Sequence, residues 1–119
     1  MKISEIIENI PGKVIAGEEF LDREIKTAYC GDLLSRVMAQ GPQDGIWITV
    51  QTHTNVIAVA TLVEIPCIIV PEDIPIDAST IEKAIEEEIV LISSPLSAFQ
   101  LALAMPMISN TLFTRGCRT

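Results

Sequence analysis

The run Gln51-Thr52-His53-Thr54-Asn55 places five hydrogen-bonding side chains in a row. It lies between a β-rich stretch, Ile46–Val50, and a mainly apolar one, Val56–Val63. It also contains the one histidine of the chain. Three kinds of chemistry suit that setting. His53 is an ordinary general base. The free N–H groups of a helix start, joined by threonine hydroxyls and an asparagine amide, suit a phosphate or carboxylate. The bland alternative is that Thr52 or Thr54 caps the helix and nothing binds there. Ser93-Ser94-Pro95 repeats the arrangement, because an apolar strand ends there and Ser94 with Pro95 can open a helix. If the two strands are neighbours, both helix starts share one crevice. The candidate ligand-binding residues are therefore Thr52, His53, Thr54, Asn55, Ser93 and Ser94.

Catalysis asks for more than one base. A nucleophile needs a base and the base needs an orienting partner. No GxSxG elbow or comparable motif frames His53. No catalytic residue is assigned, and an enzyme using His53 stands behind two other readings. The first is a regulatory module that binds a small anionic metabolite or nucleotide. The second is a structural module that assembles with a protein partner. Cys30, Cys67 and Cys117 are too far apart for a CxxC pair, and one histidine cannot complete a local zinc set. Neither a metal nor a cofactor is expected. Three cysteines without a leader-like N-terminus fit a reducing cytoplasm.

Composition narrows the partners. The 119 residues fit one domain spanning 1–119, and 49% hydrophobic residues can bury a core. Aromatics make up 4%, so Ile, Val, Leu and Ala must build it. Sixteen acidic residues against eight basic ones give a formal charge of -8. Nucleic acid repels such a surface, and no Lys/Arg cluster offsets it. The segment Ile89–Thr114 carries no charge, yet Pro95, Pro106, Gln100, Asn110 and four serines argue against a membrane span. Its apolar surplus suggests a homodimer interface instead.

Elements must hold these residues in place. Ile3, Ile6, Ile7 and Ile10 recur at helical spacing, and Pro11-Gly12 ends that helix. Lys13–Ala16 and Glu24–Cys30 read as strands. Asp32 reads as the cap of a helix to Gln40, followed by Gly41-Pro42. Strands Ile46–Val50, Cys67–Val70 and Ile89–Ile92 then alternate with helices. The helix Asn55–Val63 is apolar nearly all round, so burial on most sides is expected. Ser79-Thr80-Ile81-Glu82 has the capping-box pattern, and the last helix runs from Ser94 to about Met105. Strands that are continuously apolar are covered on both faces. The expected fold is a three-layer α/β/α sandwich with a mixed, largely parallel sheet, extended in its first half by a hairpin or by edge strands. Residues 106–119 form a C-terminal tail without a clear pattern.

Three stretches resemble the DRTGG domain family. They are Asp22–Ser35 (DREIKTAYCGDLLS), Ile46–Ala60 (IWITVQTHTNVIAVA) and Leu91–Phe99 (LISSPLSAF). The resemblance covers about 13–105, and the middle stretch is its most specific part. Lys26-Thr27-Ala28 stands where the family has Thr-Gly-Gly, so any close backbone approach that those glycines allow is missing here. The resemblance implies a fold like the N-terminal domain of HPr kinase/phosphorylase and a regulatory or accessory role without catalysis. Domains of this kind occur beside CBS domains in inorganic pyrophosphatases and in some phosphotransacetylases. The chain has no GxxxxGK[ST] loop, so no kinase activity follows from the likeness.

Overall fold

The computed structural model describes residues 1–105. Five strands form one sheet: β1 (Lys13–Ala16), β2 (Thr27–Cys30), β3 (Gly45–Ile48), β4 (Cys67–Val70) and β5 (Val90–Ser93), in the order β1-β5-β4-β3-β2. β2 through β5 are parallel, and β1 runs antiparallel to β5. Helices α1 (Ile3–Glu8), α2 (Leu34–Gln40), α3 (Thr54–Leu62), α4 (Ala78–Glu86) and α5 (Ala98–Leu103) cover both faces. The sandwich with a mixed, largely parallel sheet is the architecture expected from the apolar strand runs. The first half contributes edge strands and no hairpin, since β1 and β2 lie at opposite margins.

Strand alternation sorts the core into two layers. Trp47, Ile68, Val70 and Leu91 point to one face, against Val37 of α2, Val56, Ile57 and Ala60 of α3, and Ala84 of α4. Ile46, Ile48, Cys67, Ile69, Val90 and Ile92 point to the other, against Ile3 and Ile6 of α1 and Leu101 of α5. Each step from β2 to β5 moves one strand over in the same direction, which keeps α2, α3 and α4 on a single face. α1 and α5 fill the opposite one. Trp47 is fully buried and still donates its indole N–H to the Gly31 carbonyl at 2.8 Å, which satisfies its one polar atom. Gly17 sits at φ 85°, and a Cβ there would lie 2.9 Å from the Val90 Cα, so β1 can turn away from β5 only at glycine.

Several local expectations are corrected. Asp32 does not cap α2, whose N-cap is Leu33 without a side-chain bond. Ser79 does not open α4 as a capping box: it lies inside the helix, whose N-cap is Asp77 without a side-chain bond. Ser94 does not cap the last helix, because Ser97 does so in a reciprocal capping box with Gln100. α3 is not buried on most sides: Val56, Ile57, Val59 and Ala60 face the core, while Ala58, Thr61 and Leu62 are exposed. The uncharged stretch beyond Met105 lies outside the described residues. No helix among the described residues is long and apolar enough to cross a membrane.

Cys67 is completely buried among isoleucines of the α1/α5 layer. Cys67→Ser should lower unfolding stability by about 1–3 kcal/mol by burying a hydroxyl without an assured partner, read as a drop in the urea midpoint. Cys30→Ser should leave that midpoint in place.

Candidate functional site

The C-terminal ends of the parallel strands gather the polar residues. β3 stops at Ile48, and the chain crosses to α3 through Thr49–His53. Asp32, just past β2, organises that crossing. Its Oδ1 accepts from the Thr49 hydroxyl and from the Val50 N–H, both at 2.9 Å. Its backbone carbonyl accepts from the Gln51 amide at 3.0 Å. Thr49 is buried, and its oxygen in turn accepts from the Gln51 N–H at 3.2 Å. One carboxylate thus ties the ends of β2 and β3 together.

Thr52 is tied from the other side. Its carbonyl accepts from the Thr80 hydroxyl at 2.6 Å, which docks the first turn of α4 onto the start of α3. His53 is the N-cap of α3, and its Nδ1 accepts from the Asn55 N–H at 3.4 Å. The Thr54 hydroxyl stands 3.4 Å from the same nitrogen. Neither Thr52 nor Thr54 is the cap, contrary to the sequence reading. His53 and Asn55 are exposed, while Thr52 and Thr54 are half-buried. The four residues form one lip, with two side chains free to face solvent.

Ser93 and Ser94 do not share that crevice. β4 lies between β3 and β5, so the two helix approaches are a strand apart. Ser94 is wholly buried: its hydroxyl donates to the Pro11 carbonyl at 2.7 Å and accepts from the Leu96 N–H at 3.2 Å. Ser93 is half-buried and lines a separate cleft of about 550 Å³ beside Pro11, Lys13 and Asp73. That Lys13 and Asp73 line one cleft was not legible, because it depends on β1 pairing with β5.

Thiol chemistry has little support. Burial, and then the charge of Asp32, push the Cys30 thiol up from its usual value. Burial pushes Cys67 up much further. Neither is a ready thiolate at neutral pH. No group of three His, Cys, Asp or Glu among the described residues is arranged to hold a metal.

Comparison with known proteins gives three findings. Residues 27–98 match the family model described as aminotransferase class I and II. No curated protein matches. Among solved structures, the chain is similar to the CBS and DRTGG domains of the regulatory region of Clostridium perfringens pyrophosphatase, complexed with its activator diadenosine tetraphosphate. That likeness has a TM-score of 0.71 at 15% identity, and covers 87% of this chain and 45% of the other. The chain therefore spans less than half the length of that structure. At this identity the likeness establishes a DRTGG-like α/β fold.

The aminotransferase match does not carry that chemistry with it. Pyridoxal phosphate is held by a lysine Schiff base, with an Asp or Arg partner tuning the ring. Lys83 is the one lysine within 27–98. It lies on α4, 3.6 Å from Glu86 and 3.8 Å from Glu87 on the same helix. No described cleft includes it. The residues present do not fit the cofactor. In this chain the matched stretch is a run of alternating strands and helices, and a fold pattern does not imply a function.

Asp32→Ala should cost about 1–3 kcal/mol of stability, because it strands the buried Thr49 hydroxyl and the Val50 N–H without their acceptor. Chemical denaturation checks this. Asp32→Asn keeps an oxygen acceptor and should lose less.

Proposed function

We propose that this chain, a DRTGG-like α/β domain, is a non-catalytic regulatory or accessory module that binds a small anionic metabolite or nucleotide and acts through a homodimer. The observation that carries the reading is the shared fold with a regulatory region that binds a nucleotide activator. The lip Thr52-His53-Thr54-Asn55 supports it locally. The first turn of α3 presents backbone N–H groups, and the cap on Asn55 is long at 3.4 Å. An incoming phosphate or carboxylate can replace such a weak bond with a charge-assisted one. The His53 and Asn55 side chains stand exposed beside it. Ser93 and Ser94 belong to a different part of the same sheet edge, so the ligand contacts of this lip are assigned to Thr52–Asn55.

Dimerisation has its support on α5. Phe99 is 73% exposed and Leu103 72% exposed, four residues apart on one helix. Residues at that spacing share a face. A second copy would cover them, since twofold pairing is the commonest way to bury such a surplus. The competing reading is a structural module that uses the same surface for another protein and binds no ligand. His53 as a catalytic base would need an orienting group. Its described contacts are the Asn55 N–H and the Thr54 hydroxyl, neither of which activates a base.

A thermal-shift titration with phosphate and ATP, at fixed ionic strength, should stabilise the wild type by mass action. The double variant His53→Ala, Asn55→Ala should lose that shift. No shift in either protein favours the structural module, whereas equal shifts in both place the ligand outside this lip. Sedimentation at micromolar concentration should show a dimer that Phe99→Glu with Leu103→Glu converts to monomer. A wild type that sediments only as monomer removes the homodimer from the reading.

A further inference from the structure

The sheet has a topological switch between β4 and β5. The chain leaving β4 goes to α4 on the Trp47 face, whereas the chain leaving β5 goes to α5 on the opposite face. Open α/β sheets favour ligands at such a divergence, beyond the C-terminal ends of the strands. Between the two loops themselves there is no room, because the Glu72 N–H donates to the Leu96 carbonyl at 2.8 Å and the Asp73 N–H to the Ser94 carbonyl at 2.9 Å. The open space is displaced toward β1. There the cleft of about 550 Å³ is lined by Pro11, Gly12 and Lys13 on one side and by Asp73, Ser93 and Pro95 on the other.

Its walls are fixed, and one of them is strained. Ser94 bonds the Pro11 carbonyl, and a Cβ on Gly12 would fall 2.8 Å from the Ser93 carbonyl. Only glycine lets the two segments approach so closely. Pro71–Ile74 is a tight turn closed by the Ile74 N–H on the Pro71 carbonyl at 3.2 Å. Its central residues, Glu72 and Asp73, lie at φ 60° and 52°. A turn with two positive φ values ordinarily takes Gly or Asn there. Strain of this kind persists where surrounding bonds hold it, and it clusters at ligand clamps. Here the two backbone bonds to the β5–α5 loop hold it, and the outcome is a carboxylate on the cleft wall.

We propose that this cleft binds a nucleoside monophosphate: Lys13 takes the phosphate, Asp73 takes the ribose hydroxyls, Ser93 hydrogen-bonds between them, and the rings of Pro11 and Pro95 flank the base. The proposal rests on the reading of the chain as a ligand-binding regulatory domain, and it sets a second site apart from the α3 lip. Lys13 is the one cation in the lining and makes no ion pair among the described residues. Carboxylates commonly accept from ribose hydroxyls in nucleotide sites of α/β sheets. The cleft is half open to solvent, and its volume leaves room for a ligand of this size. A single lysine in a chain of formal charge -8 matches one phosphate and disfavours a polyphosphate.

Isothermal titration of the four ribonucleoside monophosphates, inorganic phosphate and ATP tests this on the full chain. At least one monophosphate should bind saturably to the wild type, more tightly than phosphate or ATP. Lys13→Gln and Asp73→Asn should each weaken it tenfold or more, and His53→Ala with Asn55→Ala should leave it unchanged. Asn tolerates positive φ, so Asp73→Asn removes the charge and keeps the turn. Circular dichroism confirms that each variant is folded. Affinities untouched by both cleft variants overturn the proposal. Binding lost only in the α3-lip variant also overturns it, and leaves the regulatory reading in place. No saturable binding of any probe at millimolar concentration overturns both.

Discussion

Dryness on both faces of β3, β4 and β5 is the constraint on which the rest of the molecule depends. All four residues of β3 and β4 are buried, and so are Val90, Leu91 and Ile92 of β5. No water reaches those backbones, so their N–H and C=O groups must be satisfied by the ladder. The parallel register from β2 to β5 does this without interruption. Both faces must then be apolar, which explains the Ile- and Val-rich runs, since β-branched side chains suit a pleated surface. Two helical layers are needed to cover them. Polar residues are confined to the ends of strands.

At those ends, most polar side chains are structural. Asp32 joins β2 to β3, Thr80 joins α4 to α3, and Ser94 joins β5 to the approach to β1. Arg23 plays the matching part at the opposite end of the sheet. Its guanidinium reaches the carbonyls of Pro66 and Glu88, just before β4 and β5, and stacks 4.1 Å over Phe20. Each buried side-chain nitrogen and oxygen among the described residues has a partner, as a satisfied core demands. Among the side chains not consumed in this way, His53, Asn55, Lys13 and Asp73 are exposed.

The second half of the fold was legible because short apolar runs are separated by strong breakers, such as Pro66 and the Pro- and Asp-rich loop Pro71–Asp77. The resemblance at Ile46–Ala60 pointed to the same architecture. Caps were less legible. Asp32, Ser79 and Ser94 have the right residue types for N-caps, but a cap is decided by which residue leaves helical geometry; tertiary hydrogen bonds drew Asp32 and Ser94 elsewhere, and Ser79 lies inside α4. His53 took a role that cap propensity favours for its threonine neighbours. Burial of α3 was overestimated because apolar content does not say which side faces the sheet; Leu62 is exposed for that reason. The cleft at Lys13, Asp73 and Ser93 had no local signal at all. Those residues meet only because an N-terminal strand adds to the last strand of a parallel set.

That addition orders events as the chain leaves the ribosome. β2, β3, β4 and β5 each dock beside the strand made just before, so the parallel sheet can grow in the sequence of its synthesis. β1 emerges earlier than all of them, yet its partner is the latest, with Val14 opposite Ile92. It must wait, unpaired, until almost the whole described chain has been made. Closing so long a loop is entropically the most demanding pairing in the sheet. α1 and the Met1–Glu24 contact give the waiting segment an anchor near β2. A nascent chain halted before β5 would expose the bare flank of β4, and would offer it to any other unpaired strand nearby.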